Sequence, residues 1–201
     1  MALRTAIACA LLALTVAGCG GGSDSTKASG DAPEWPAPPN PMALTKKAGL
    51  EPERAEFFQY HVHAHLDVFF NGDPVTVPAG IGIDTTNPDV ISDDQGVGLM
   101  GECSKPCISP LHTHATDGVL HTETQTVQPN KLGQFFVEWN VKLDSSCVGK
   151  FCDPETTIAI YVDGQVYEGD PRDIELSDGR EIAIVIGSAP ETIPSEFTPT
   201  Q

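Results

Sequence analysis

Tyr60-His61-Val62-His63-Ala64-His65-Leu66-Asp67-Val68-Phe69-Phe70-Asn71-Gly72 carries the alternation that decides the fold. Val62, Ala64, Leu66, Val68 and Phe70 fall on one side of an extended chain, and His61, His63, His65 and Asp67 fall on the other. This is the period-two pattern of a half-buried strand. Asn71-Gly72 follows at once, the dipeptide that most readily takes the two positive-φ conformations of a tight hairpin turn. The strand is therefore expected to fold back through Val75 and Val77. Pro78, Gly80 and Gly82 then break the pairing.

Working outward, the same signals recur. Leu111 to Ala115 and Val119 to Thr124 read as two short strands joined around Asp117-Gly118, preceded by a polar loop from Asn87 to Gly98. Ile158 to Val162, a turn at Asp163-Gly164, a return through Val166 and Tyr167, Ile174 to Leu176, a turn at Asp178-Gly179 and Ile182 to Ile186 continue the pattern. Two stretches differ. Leu132, Phe135, Phe136 and Trp139 have helical spacing, and Met42 to Gly49 can form one or two helical turns with Gly49 as the stop. The expected class is mainly β: an antiparallel sandwich or open barrel built from hairpins, with one or two short helices.

The N-terminus has the form of an export signal. Arg4 precedes an apolar run from Ala6 to Val16, too short to span a bilayer, and Val16-Ala17-Gly18-Cys19 has the small residues and cysteine of a lipoprotein cleavage site. The alternative is an ordinary secretory signal whose cleavage point happens to lie beside a cysteine. Residues 1–18 are expected to be removed and Cys19 to carry lipid. Residues 19–41, rich in Gly, Ser and then Pro, are expected to be a flexible tether that spans up to about 70 Å when extended. Residues 42–188 are then the β-rich histidine domain, and 189–201, with Pro190, Pro194 and Pro199, a disordered tail. The expected setting is the cell envelope, outside the cytoplasm.

The 201-residue chain carries a net charge of −17 at pH 7, with 11 basic and 28 acidic residues. Such a surface excludes a nucleic-acid partner, whose phosphates need Lys and Arg. It attracts cations, although net charge also serves solubility alone. Of the six cysteines, Cys9 leaves with the signal and Cys19 takes lipid. Cys103, Cys107, Cys147 and Cys152 remain, and two disulfides are expected in an oxidising compartment. All three pairings are open, with the local Cys103–Cys107 and Cys147–Cys152 loops among them. A redox or thiolate metal role is disfavoured because neither spacing is Cys-X-X-Cys.

All six histidines lie in two clusters: His61, His63 and His65, then His112, His114 and His121 with Glu123 beside them. Alternate residues of a strand stand roughly 6.5–7 Å apart on one face, and adjacent strands roughly 4.8 Å apart. Two imidazoles at i and i+2 can converge on one ion with a third from the next strand; three along one strand cannot. The compact sets are two histidines from each cluster, or His63 and His65 with one or two of the second cluster. Imidazole suits a divalent transition metal, copper or zinc first, and not a pure oxygen site for Ca²⁺. Asp67 and Glu123 share these faces and could ligate, orient an imidazole or face water. Met100 is a weak further donor for Cu(I). A pH-sensing cluster without metal, or a polar interface, are the other readings of the same residues.

Tyr60-His61-Val62-His63-Ala64-His65-Leu66 with Asn71-Gly72, Leu111-His112-Thr113-His114 with Gly118 and His121-Thr122-Glu123, and Leu132-Gly133-Gln134-Phe135-Phe136-Val137-Glu138-Trp139 resemble the blocks of a group of bacterial secreted or lipid-anchored proteins of unassigned function. The likeness spans about residues 42–187. It implies an extracytoplasmic setting and no activity.

Three functions fit the residues. The first is a lipid-anchored carrier, scavenger or buffer of copper or zinc, whose partners are the membrane, the ion and another envelope metal-handling protein. The second is a three-histidine metalloenzyme of hydrolase or hydratase type, with Glu123 or Asp67 as general base; no His-Glu-X-X-His or nucleophile-elbow motif supports it. The third is a metal-free interaction module.

Overall fold

The computed structural model describes residues 26–94, 96–99 and 101–199. The expected leader at 1–18, Cys19, the first part of the expected tether and Met100 lie outside the described residues. Helix α1 (Pro41–Lys47) is the pair of turns expected before the domain, and it ends just ahead of Gly49, whose φ is +76°. Strand β1 (Tyr60–Phe70) is the organising element. Its Ala64, Leu66, Val68 and Phe70 are buried on one face while the histidines occupy the other. Asn71 and Gly72 take positive φ values of 53° and 93°, and β2 (Asp73–Val75) returns antiparallel along Phe70 to Val68.

The polar loop from Asn87 holds a small ribbon, β3 (Val90–Asp93) with β4 (Gly96–Leu99). Strand β5 (Leu111–His112) is shorter than expected, whereas β6 (Val119–Thr124) has the expected bounds. The reason is local bonding. Gly80 N–H donates to Thr113 O (2.8 Å), Thr113 N–H to Ile81 O (3.1 Å) and Val97 N–H to His114 O (2.8 Å). Residues 113 and 114 therefore leave the β6 edge for the loop after β2 and for β4. Helix α2 (Leu132–Trp139) follows, then the ribbon β7 (Cys147–Val148) and β8 (Phe151–Cys152). Strands β9 (Ile158–Val162) and β10 (Gln165–Val166), a 3-10 turn at Pro171–Asp173 and β11 (Glu181–Ile186) complete the chain.

The main sheet runs β10-β9-β11-β1-β6-β5, with β2 also on β1, and it stays open. The class is the mainly β one expected, with two short helices. Most pairings are antiparallel hairpins. The exception is β11, which runs parallel to β1 from His65 opposite Glu181 to Phe70 opposite Ile186. A parallel neighbour needs a long crossover, and here the crossover contains α2.

Helix α2 buries Leu132, Phe135, Phe136 and Trp139 in the core with Leu66, Val68, Phe70, Ile182, Ile184 and Ile186. Each such side chain contributes about 1.5–3 kcal/mol of transfer free energy. Gln134 accepts the Lys131 N–H at 2.9 Å, and Asn140 ends the helix in the left-handed conformation. Residues 26–41, expected as part of a free tether, lie against this core instead. Trp35 meets Trp139 edge-on at 5.7 Å and accepts its indole N–H on the main-chain oxygen at 2.9 Å. Ala28 is buried and exchanges two main-chain hydrogen bonds with the Asn71 amide. The tail is likewise placed rather than disordered where it is described: Phe197 stacks on His65 at 5.1 Å.

Both disulfides are the local ones, Cys103–Cys107 and Cys147–Cys152. The first is buried with Ile83, Val97 and Ile108 in a small second core. Disulfides belong to chains folded in oxidising compartments. Among the described residues no helix is long and apolar enough to cross a membrane.

Candidate metal centre

The register of three adjacent strands builds the site. On β1 and β6, His63 stands opposite His121 and His61 opposite Glu123. On β5 and β6, His112 stands opposite His121. Three imidazoles thus form a row across β1, β6 and β5, with His61 and Glu123 on the next rung and His114 two residues beyond His112. Directly opposed residues have Cβ atoms about 4.5–5.5 Å apart, close enough for their rings to meet.

The nitrogens converge. His61 Nε2 lies 2.9 Å from His63 Nε2, and His112 Nε2 lies 3.0 Å from His114 Nε2. His121 meets both pairs edge to face, with ring centroids 4.4 Å from His63 and 4.5 Å from His114. Glu123 reaches into the middle. Its Oε1 is 3.3 Å from His61 Nε2 and 3.4 Å from His121 Nδ1, and its Oε2 is 3.9 Å from His112 Nε2. Two sets, His61, His63, His121, Glu123 and His112, His114, His121, Glu123, have donor atoms all within 4.8 Å of one another and could each hold a metal ion.

The protonation pattern explains why a cation belongs there. His112 Nδ1–H donates to the Ser109 carbonyl at 2.8 Å, and His114 Nδ1–H donates to the Val97 carbonyl. With those protons held by carbonyls, the neutral rings present only lone pairs at the two Nε2 atoms that face each other. Full burial, reinforced by His114, pushes the His112 pKa down to about 3, so a second proton on that ring is strongly disfavoured. Burial, then neighbouring imidazoles, also lower His63. Burial lowers His121 as well, against the opposing hydrogen bond with Glu123. Burial alone would raise Glu123, but the hydrogen bond from His121 and the facing His112, His121 and His61 together hold it below its ordinary value, as an anion. Glu123 Oε2 and His121 Nδ1 are buried without a well-formed hydrogen bond, the His121 Nδ1–Glu123 Oε1 contact being a long 3.4 Å. The donor set is therefore electron-rich, and two of its buried atoms have only long contacts.

The carbonyl contacts to Nδ1 are also what orients a metal-bound histidine. The loop after β2 makes this possible by lying close over β5. At Gly82, φ is +75°, and a β-carbon there would overlap the Leu111 carbonyl oxygen and press on His112 Cβ at 3.1 Å. Only glycine fits.

One end of the site is open. His61 is about one-third exposed whereas His112 is sealed (34% and 1% of the side chain). A cavity of about 420 Å³ lined by His61, His63, Asp178 and Pro199 lies at the open end. Asp178 Oδ1 accepts the His63 N–H at 3.0 Å. On the His114 side, Glu56 Oε1 is 3.8 Å from His114 Nε2. Burial raises both Glu56 and Glu53, with the Glu123 charge adding to it, and Glu53 reaches about 7 despite its hydrogen bond with Gln125.

His65 does not join the others. It stands opposite Val119 of β6 and Glu181 of β11. Nδ1 contacts Glu181 at 3.0 Å and Nε2–H donates to the Asp117 carbonyl at 2.8 Å. The hydrogen bond to Glu181 outweighs burial and raises its pKa to about 9. His65, Asp67 and Glu181 are close enough to surround an ion, and without one His65 is the ion-pair partner of Glu181. Five of the six expected ligands come together, and His65 stands apart in a third candidate group with Asp67 and Glu181. Glu123 is the donor whose place sequence left undecided, and Glu53, Glu56 and Asp178 were not singled out at all.

No protein-family model, curated protein or solved structure matches the chain. Cys103, Cys107, Cys147 and Cys152 are paired, so the donors are imidazole and carboxylate, a set suited to Zn²⁺, Cu²⁺, Ni²⁺, Co²⁺ or Fe²⁺. Fold and site together define a mainly β, disulfide-linked domain with histidine–carboxylate clusters that could bind metal.

Proposed function

We propose that this chain is an envelope lipoprotein that binds copper or zinc outside the cytoplasm and serves as a carrier, scavenger or buffer of the ion. The observation that carries the reading is the pair of facing lone pairs on His112 and His114, with their other nitrogens held by backbone carbonyls. The chain's net charge of −17 favours the approach of cations. The lipid on Cys19, the membrane and an envelope metal-handling partner are inferred from the leader and the resemblance already described.

The test is metal content and linkage. Protein isolated from its own envelope is expected to retain copper or zinc through dialysis. Added Zn²⁺ or Cu²⁺ at 100 times its Kd is expected to stabilise the metal-free chain by about 2.7 kcal/mol. Loss of all metal on dialysis together with no thermal shift would remove the reading and leave the interaction-module alternative.

One observation favours the metalloenzyme as a second reading. The open end at His61 faces a cavity of about 420 Å³, room for solvent or a small substrate beside the ion. A water that exchanges at the bound metal would favour catalysis, and a closed coordination sphere would favour carriage.

A further inference from the structure

We propose that the histidine cluster is a two-ion centre, with Glu123 as the carboxylate bridge between two divalent transition-metal ions. The inference rests on the metal-binding reading above and goes beyond it in number, arrangement and non-equivalence of the ions.

The spacing of the nitrogens comes first. On a tetrahedral ion with metal–nitrogen bonds of about 2.0–2.1 Å, neighbouring nitrogens lie about 3.3 Å apart. Two separate pairs approach that spacing, His61 with His63 at 2.9 Å and His112 with His114 at 3.0 Å. The pairs come from β1 and from the β5 end, on opposite sides of β6. The cluster's donor atoms within 4.8 Å of one another fall into two sets, neither of which contains both pairs, so each pair calls for its own ion.

The middle strand supplies the shared residues. The two donor sets have His121 and Glu123 in common and nothing else. Glu123 presents a different oxygen to each side, Oε1 to His61 and Oε2 to His112. That is the disposition of a bridging carboxylate, and bridged ions stand about 3.5–4 Å apart. Within the site, the buried atoms that lack a well-formed hydrogen bond, Glu123 Oε2 and His121 Nδ1, both belong to the shared residues.

The two positions are unlike. The ion on His112 and His114 has one fully buried ligand, His112, beside the part-exposed His114, and both rings are oriented by the Ser109 and Val97 carbonyls. The ion on His61 and His63 borders the cavity with Asp178 and Pro199. The ion on the carbonyl-oriented pair is the tightly held one, and the ion on His61 and His63 is the first to exchange with solvent.

Native mass spectrometry of the metal-free full chain titrated with Zn²⁺ tests this, together with electron paramagnetic resonance of the Cu²⁺-loaded form. Two ions per chain are expected, bound stepwise, with the Cu²⁺ signal diminished by coupling through Glu123. The double variant His61→Ala/His63→Ala is expected to keep one ion and recover an uncoupled Cu²⁺ signal. Its altered groups lie at the open end, and circular dichroism checks its fold. Glu123→Gln, a near-isosteric change, is expected to lose the coupling independently. One ion per wild-type chain would overturn the two-ion centre and leave metal binding standing. Two ions surviving in His61→Ala/His63→Ala, or two uncoupled Cu²⁺ ions in the wild type, would overturn it too. No ion at all would overturn the metal-binding reading itself.

Discussion

Glu123 of β6 stands directly opposite His61 of β1, and its Oε1 lies 3.3 Å from His61 Nε2 in a site where the carboxylate is almost wholly buried. An anion in that position is costly unless it meets a cation. Glu123→Gln keeps the size and removes the charge. It is expected to weaken Zn²⁺ binding by at least about tenfold, the scale seen when a group supporting a metal site is lost. Competition against a chelator of known affinity measures it, and an unchanged affinity would take Glu123 out of the ligand set.

His65 separates stability from metal binding. Its imidazole faces the buried Glu181 and holds the Asp117 carbonyl. His65→Ala leaves a buried carboxylate without its partner, expected to cost about 2–4 kcal/mol in urea unfolding. The number of metal ions bound is expected to stay that of the wild type. Lost metal with unchanged stability would reverse the assignment and return His65 to the ligands.

These two histidines also mark how far the sequence could be read. Period two puts His61, His63 and His65 on one face, and Asn71-Gly72 announces the turn. The spacing of Leu132, Phe135, Phe136 and Trp139 likewise announces α2. Which histidine joins His63 depends on register, because β6 brings Glu123 opposite His61 but Val119 opposite His65. The pattern of one strand carries no register. The parallel pairing of β1 with β11 is hidden for the same reason, since the two strands lie more than a hundred residues apart and share no turn. Glu123 was visible as a neighbour of His121, but only the ladder turns a shared face into a shared site.

Composition misled at the N-terminal side. The Pro-rich stretch before α1 reads as tether, yet Trp35 packs on Trp139 and against Gly149. An edge-on aromatic pair contributes about 0.5–1.5 kcal/mol beyond its buried area. Trp35→Ala is expected to lower unfolding stability by about 2 kcal/mol and to change the near-ultraviolet circular dichroism of Trp139. Identical spectra and midpoints would mean that this segment is a free tether after all.

Cys19 is the expected site of lipid. Wild-type protein is expected in the membrane fraction and the detergent phase of a phase separation, and Cys19→Ala in the aqueous phase with its metal content unchanged. A variant that stays with the membrane would show that something other than acylation holds it there.

Glu138 gives the domain a pH dependence that owes nothing to the histidines. It is fully buried on α2 beside Ser109 and Thr45, yet neither carboxylate oxygen makes a well-formed hydrogen bond. Burial raises its pKa from 4.5 to about 8. Between those values the folded chain keeps the proton and the unfolded chain has released it. Stability therefore falls as pH rises through that window, by at most about 1.4 kcal/mol per pH unit for one group, and levels off above the folded pKa. Glu138→Gln removes the titrating proton and keeps the shape. Urea unfolding at pH 5, 6.5 and 8 is expected to show the variant gaining on the wild type as pH rises, and to be the more stable of the two at pH 8. A constant difference between the two proteins across that range would mean that Glu138 has the same pKa folded and unfolded, and that α2 buries the carboxylate as an anion.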